Sequence, residues 1–189
     1  MPRKRHKAVS PKVTHTQLGV KVDRYEACVE ARINIDAKDP RYAFQLDDRD
    51  PVYQYVTRVK IHGVGTYPDD RIGHAFEITV LGDESPSRRV FPTIKDLQER
   101  GEYGQPLYRE YRGRSLPVLR PPPGLGLLSK VRGEAAWTAW VNVAARLVSD
   151  MLVLLGSTKG LYLCIHERKT GRDRWIDSLG LQTTDPAEE

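Results

Sequence analysis

The side chains in this sequence best suited to chemistry are cations, and they fall into three groups. The first is Arg3, Lys4, Arg5 and Lys7, with Lys12 close behind. The second is Arg109, Arg112, Arg114, Arg120, Lys130 and Arg132, interleaved with Tyr108 and Tyr111 and opposed only by Glu110 nearby. The third is Arg168, Lys169, Arg172 and Arg174, beside Trp175. Cations of this density neutralise phosphates and release counterions, which gives salt-sensitive affinity without sequence preference. Guanidinium forks alternating with aromatic faces also suit phosphate oxygens and stacked bases. The competing reading is a solvated surface on which each cation meets a neighbouring acid such as Glu110, Glu167 or Asp173.

Other chemistries find weaker footing. Asp69 and Glu77 could hold a divalent ion on a hairpin, but Thr79 stands where such a nuclease core would need a lysine. Asp69 and Asp70, after Pro68, are also turn-forming residues. Asp47, Asp48 and Asp50 lack the alternating spacing and downstream Glu of a calcium loop. His62, His74 and His166 with Cys164 show no zinc spacing, and Cys164–His166 lacks a third group to orient a nucleophile. Gly124-Leu125-Gly126 follows three prolines and opens no helix, so it is not a nucleotide fingerprint. Neither a metal nor a cofactor is expected. Arg114 to Arg120 resembles a proline-rich ligand without its second proline, and reads as a stiff connector. Trp137, Trp140 and Trp175 read as core or interface anchors before they read as a stacking platform.

The elements that must position these groups belong to one domain. The chain has 189 residues, 39% hydrophobic and 29% charged, which is too apolar for full disorder. A folded part of roughly 160 residues buries about two-thirds of its unfolded surface without disulfides or a structural metal. Cys28 and Cys164, far apart in sequence, are expected as free buried thiols in a reducing compartment. No apolar h-region follows the basic N-terminus, and the apolar run at Leu147–Leu155 is too short for a bilayer, so a cytoplasmic protein without a membrane partner is expected.

Charge is unevenly placed. Residues 1–22 carry 6 Lys/Arg and no acid; of 30 basic residues, 24 remain against 25 acidic ones, so the rest of the chain sums to −1. The net charge of +5 therefore belongs to the N-terminal segment and not to the body. The expected organisation is a flexible basic arm over 1–22, a single β-rich domain over 23–183 and an acidic tail over 184–189.

Strand periodicity is clearest from Tyr25 to Ile35, where Ala27, Val29, Ala31, Ile33 and Ile35 alternate with polar residues. A short extended piece is also expected at Tyr42–Phe44. Val52–Val64 and His74–Leu81 flank turn chemistry at Pro68-Asp69-Asp70 and Gly73, predicting an antiparallel hairpin. Thr93 with Asp96 three residues on predicts a short capped helix. The glycines and prolines of 101–124 predict a long surface excursion. Residues 134–156 fit one amphipathic helix, but the alternation of Trp137, Ala139, Val141 and Val143 favours a strand followed by a helix from about Ala145. Gly160–Glu167 and Arg174–Gln182 predict a second hairpin.

These elements give a mixed α+β domain, mainly antiparallel, with at least five strands. Either a small barrel, for which an OB-like barrel is one candidate, or a sheet covered by one or two helices satisfies them. The leading functional expectation is a non-enzymatic nucleic-acid-associated protein using its arginine-rich loops and basic arm. The alternatives are an assembly subunit, in which edge strands and the 101–124 excursion dock on another protein chain or a second copy, and a metal-dependent hydrolase using Asp69 and Glu77.

Overall fold

The computed structural model describes residues 13–33, 53–83 and 93–188. Arg3, Lys4, Arg5, Lys7, the extended piece at Tyr42–Phe44 and Ile35 lie outside them.

The chain is mostly β. Seven strands close into a barrel in the order β1-β2-β3-β7-β6-β9-β8, with β8 returning to β1. The strands are β1 (Val13–Ile33), β2 (Tyr53–Tyr67), β3 (Ala75–Asp83), β6 (Gly126–Lys130), β7 (Ala136–Ala144), β8 (Tyr162–Thr170) and β9 (Asp173–Gln182). β3 and β7 run parallel; the other neighbours are antiparallel. A separate hairpin, β4 (Tyr108–Tyr111) with β5 (Arg114–Pro117), belongs to the excursion between β3 and β6. The α-helices among the described residues are α1 (Ile94–Leu97) and α2 (Ala145–Ser157).

Alternation explains the barrel. Leu18, Val20, Val59, Ile61, Phe76, Ile78, Val80, Ala139, Val141, Val143, Leu163, Ile165 and Ile176 point inward and are buried, each separated from the next on its strand by an outward residue. Glycines let strands approach where the wall bends. A Cβ on Gly126 would meet the Trp140 carbonyl oxygen at 2.0 Å, so only glycine fits where β6 wedges between β7 and β9.

The two rims are closed differently. β7 runs straight into α2, whose Val148, Met151 and Leu155 enter the same core and plug one rim. The start of α2 lies against Gly82, where a Cβ would stand 2.9 Å from the Ala145 Cα. The opposite rim carries the starts of β1, β3, β7 and β9, with the ends of β2, β6 and β8.

Several expectations are met in detail. The strand-then-helix division falls at Ala144/Ala145. Both hairpins form, and the Thr93 backbone N–H and hydroxyl donate to the Asp96 carboxylate at 2.8 and 2.7 Å. Neither Cys28 nor Cys164 is in a disulfide, and both are half-buried rather than buried.

Two boundaries need correction. β1 begins at Val13, so residues 13–22, assigned to the flexible arm, build the barrel wall, with Leu18 and Val20 buried. The segment hides its alternation because only Leu18, Val20 and Val22 carry it, among polar neighbours. The acidic tail is docked in part: the Asp185 carboxylate accepts from the Thr66 hydroxyl at 3.1 Å, and Pro186 is buried near Gly19.

Candidate nucleic-acid interface

The rim opposite α2 gathers cations from distant parts of the chain. β6 ends there at Lys130, and the 131–135 turn carries Arg132. The β8–β9 hairpin turns there, bringing Lys169, Arg172 and Arg174. Val13 pairs with Thr170, so the segment holding Arg3, Lys4, Arg5, Lys7 and Lys12 joins the barrel at this same rim. The 3₁₀ turn Asp69–Arg71 between β2 and β3 adds Arg71.

Beneath these groups lies a buried charged cluster. Arg71 and Glu167 are only 3% and 1% exposed, yet both are ionisable. Arg71 Nη2 donates to Glu167 Oε2 at 3.4 Å and its Nε donates to Asp70 at 3.3 Å. Arg174 Nη1 donates to the other oxygen, Glu167 Oε1. The cluster is roofed by Trp137: Arg71 lies 3.6 Å, Arg174 5.3 Å and Lys130 6.0 Å from its ring centroid. A carboxylate this deep persists because two guanidiniums bind it and an aromatic face supports them. The Trp137 Nε1–H donates to His74 Nδ1 at 3.1 Å, which leaves His74 Nε2 to carry the proton of the neutral ring. An open depression of about 620 Å³ beside the cluster is lined by His74, the 130–134 turn and Ala135.

The predicted cations therefore divide into three kinds. Lys130, Arg132, Lys169 and Arg172 share the rim and have no ion pair among the described residues. Arg168 and Arg174 are held internally. Arg168 binds Asp177 through its Nε, at 3.0 Å to Oδ1 and 2.9 Å to Oδ2, and donates to the Pro122 carbonyl at 2.9 Å. Arg109, Arg112, Arg114 and Arg120 sit on the excursion, which leaves and rejoins the barrel at strand ends away from the cationic rim. Arg120 there donates to the Asp96 carbonyl at 3.0 Å. On the β4–β5 hairpin, the cross-strand pairs Arg109–Leu116 and Tyr111–Arg114 place Arg109, Tyr111 and Arg114 on one exposed face. Arg112, at φ 50° beside Gly113 in the turn, lies 5.3 Å from the Tyr111 centroid.

Local acids temper the rim. Four unpaired cations there (Lys130, Arg132, Lys169, Arg172) face three acids, Asp69, Glu134 and Asp173, that also have no ion pair among the described residues. Residues 1–12 carry five further Lys and Arg and no acid.

Sequence reasoning missed Arg71 and His74 as members of this cluster. Arg71 sits among turn residues, and no local pattern separates a turn arginine that folds inward from one that stays in water. The hydrolase carboxylates are not assembled: Glu77 on β3 pairs with Lys60 at 3.3 Å and lies 3.9 Å from His62, whereas Asp69 is in the rim turn. Among the described residues no three His, Cys, Asp or Glu side chains are grouped to hold a metal. No helix among them is long and apolar enough to cross a membrane. Trp137 is core, as expected, but Trp140 is 59% exposed on the outer wall opposite Leu127.

No protein-family model, curated protein or solved structure matches this chain.

Proposed function

We propose that this protein binds the phosphate backbone of nucleic acid without catalysing a reaction on it. The α2-distal rim and the basic N-terminal segment act as one surface. The observation that supports this reading is the meeting of Lys130 and Arg132 with Lys169 and Arg172 at the rim where β1 begins. Four cations with no ion pair among the described residues are available to phosphate, and the preceding segment adds five more without an acid among them. Arg71, Glu167 and Arg174 form the floor of this surface and hold Trp137 and the strand ends in place. The β4–β5 hairpin supplies a second kind of contact: Tyr111 is 54% exposed between arginines, a geometry suited to an unstacked base.

Fluorescence anisotropy of labelled single- and double-stranded oligonucleotides across a salt series tests the proposal. Each phosphate neutralised contributes about 0.9 to the log–log salt slope on duplex and about 0.7 on single strands. Removing residues 1–12 is expected to reduce the slope by up to five such contributions. An affinity that ignores salt, or a truncation that changes nothing, contradicts the proposal.

A further inference from the structure

The barrel mouth inside the cationic rim holds more positive charge than its own acids neutralise. Arg71 and Arg174 both bind Glu167, and with Lys130 they surround the Trp137 ring, all within 6.0 Å of its centroid. Lys169 stands directly opposite Arg174 on the β8–β9 ladder, and cross-strand partners share a face, so it belongs to the same inward row.

Two carboxylates answer these four cations. Glu167 is shared between the two guanidiniums, and Asp70, which pairs with Arg71, is 75% exposed. The other acids of the rim lie outside the mouth. Asp173 is exposed and alternates to the face opposite that of Arg174. Asp69 and Glu134 are exposed in turns and form no ion pair among the described residues. Two positive charges are left over.

The donors are unfinished at the same place. Arg71 Nη1 is shut off from water and has no hydrogen-bond partner among the described residues. Buried donors are nearly always satisfied, by water or an ion where no protein atom serves. Arg174 commits only Nη1 to Glu167, and its side chain is 26% exposed, so the rest of its fork faces the mouth.

The surplus selects the ligand. A carboxylate would neutralise one of the two charges. A phosphomonoester carries about −1.5 to −2 near pH 7 and offers three strong acceptor oxygens, enough for two ammonium groups and one guanidinium edge. A backbone phosphodiester has a single charge and sugar on both sides, which keeps it on the outer rim.

We infer that the mouth at Arg174, Lys130 and Lys169 is a pocket for one phosphomonoester, carried by a strand terminus or by a small phosphorylated molecule. The depression lined by His74, Val131 and Ala135 begins at Lys130 and has room for the part that bears the phosphate. The pocket does not rest on backbone binding, since a free phosphate fills it.

Inorganic phosphate tests it, in titration calorimetry and thermal melts of the full chain at constant ionic strength, with chloride as the reference anion. Phosphate is expected to bind saturably and to raise the melting temperature, as a ligand of the folded state does. Lys130→Gln with Lys169→Gln leaves the Arg71–Glu167–Arg174 contacts in place, so its melt without phosphate should match wild type. Its phosphate affinity should fall at least about tenfold, the worth of one charge-assisted hydrogen bond. Arg146→Ala with Lys159→Ala, at the two ends of α2, should bind phosphate as wild type does. No binding of phosphate, or a lysine double variant that binds it like wild type, overturns the pocket; salt-dependent oligonucleotide binding would then still stand by itself. Oligonucleotides with a terminal phosphate or a terminal hydroxyl separate the two sources. A preference for the phosphorylated strand that the lysine variant loses assigns the pocket to strand ends. Equal binding of the two strands by a protein that binds inorganic phosphate assigns it to a small phosphorylated molecule.

Discussion

The guanidinium carbon of Arg71 stands 3.6 Å from the centroid of the Trp137 ring, and the same guanidinium reaches Glu167 at 3.4 Å. One barrel rim is thus closed by a charged, aromatic cluster, while α2 closes the other with Val148, Met151 and Leu155. The fold places its expendable, exposed cations directly above buried ones that it needs for stability.

Removing Glu167 leaves Arg71 buried with only the Asp70 carboxylate beside it. Glu167→Ala is therefore expected to destabilise the fold by about 3–5 kcal/mol, the usual cost of orphaning a buried charge. Replacing both partners with apolar residues, Arg71→Met with Glu167→Leu, should recover most of the loss. Urea midpoints of the two proteins check this; a double variant less stable than Glu167→Ala would contradict it.

The α2 plug predicts a position-specific cost. Met151 is 3% exposed within the core, and Met151→Ala should cost about 2–5 kcal/mol. Val153, 67% exposed on the outer side of the same helix, should change stability by no more than about 0.5 kcal/mol on truncation to alanine. Equal effects at the two positions would show that α2 does not plug the barrel.

Much of this architecture was legible because period-2 patterning survives wherever one strand face is buried. Ala139, Val141 and Val143 are inward residues of β7, and the same alternation placed its end just before Ala145. The start of β1 was not legible, since the buried pair Leu18 and Val20 is too short a signal among Thr, His and Gln. Barrel closure depends on β8 returning to β1, a pairing across some 150 residues that no local pattern encodes. The candidate site was half legible. Sequence offers the cations but not the acids that claim them, so Arg168 and Lys169 look alike until Asp177 is placed beside one of them.

Arg168 should act as an anchor and not as a ligand for phosphate. Its side chain joins Asp177 on β9 to the Pro122 carbonyl at the end of the excursion. Arg168→Ala is expected to lower the melting temperature and speed proteolysis within residues 93–125, while the salt slope of oligonucleotide binding stays at the wild-type value. A reduced slope with an unchanged melt would reverse the assignment.

Glu26 gives a pH signature of defined sign. Hydrogen bonds from Arg24, then from His62, hold its carboxyl below the ordinary carboxylate range. A depressed folded-state value means stability that is present above the unfolded carboxyl value and is lost as pH falls through the folded one. The contribution is small and salt-screened, because the side chain is exposed. The difference in urea midpoint between wild type and Glu26→Gln should be largest near neutral pH and close as the solution is acidified through the carboxylate range. A difference that does not vary with pH would remove this role.

The central claim is that polyanion affinity resides at the α2-distal rim, and the salt slope of duplex binding tests it most directly. Replacing Lys130, Arg132, Lys169 and Arg172 together with alanine should lower the slope by up to about 3.6, at roughly 0.9 for each lost contact. The control replaces Arg146 and Lys159, which flank the other rim at the two ends of α2, and should leave the slope at its wild-type value. A slope that falls equally in both proteins, or in neither, contradicts a rim-centred interface.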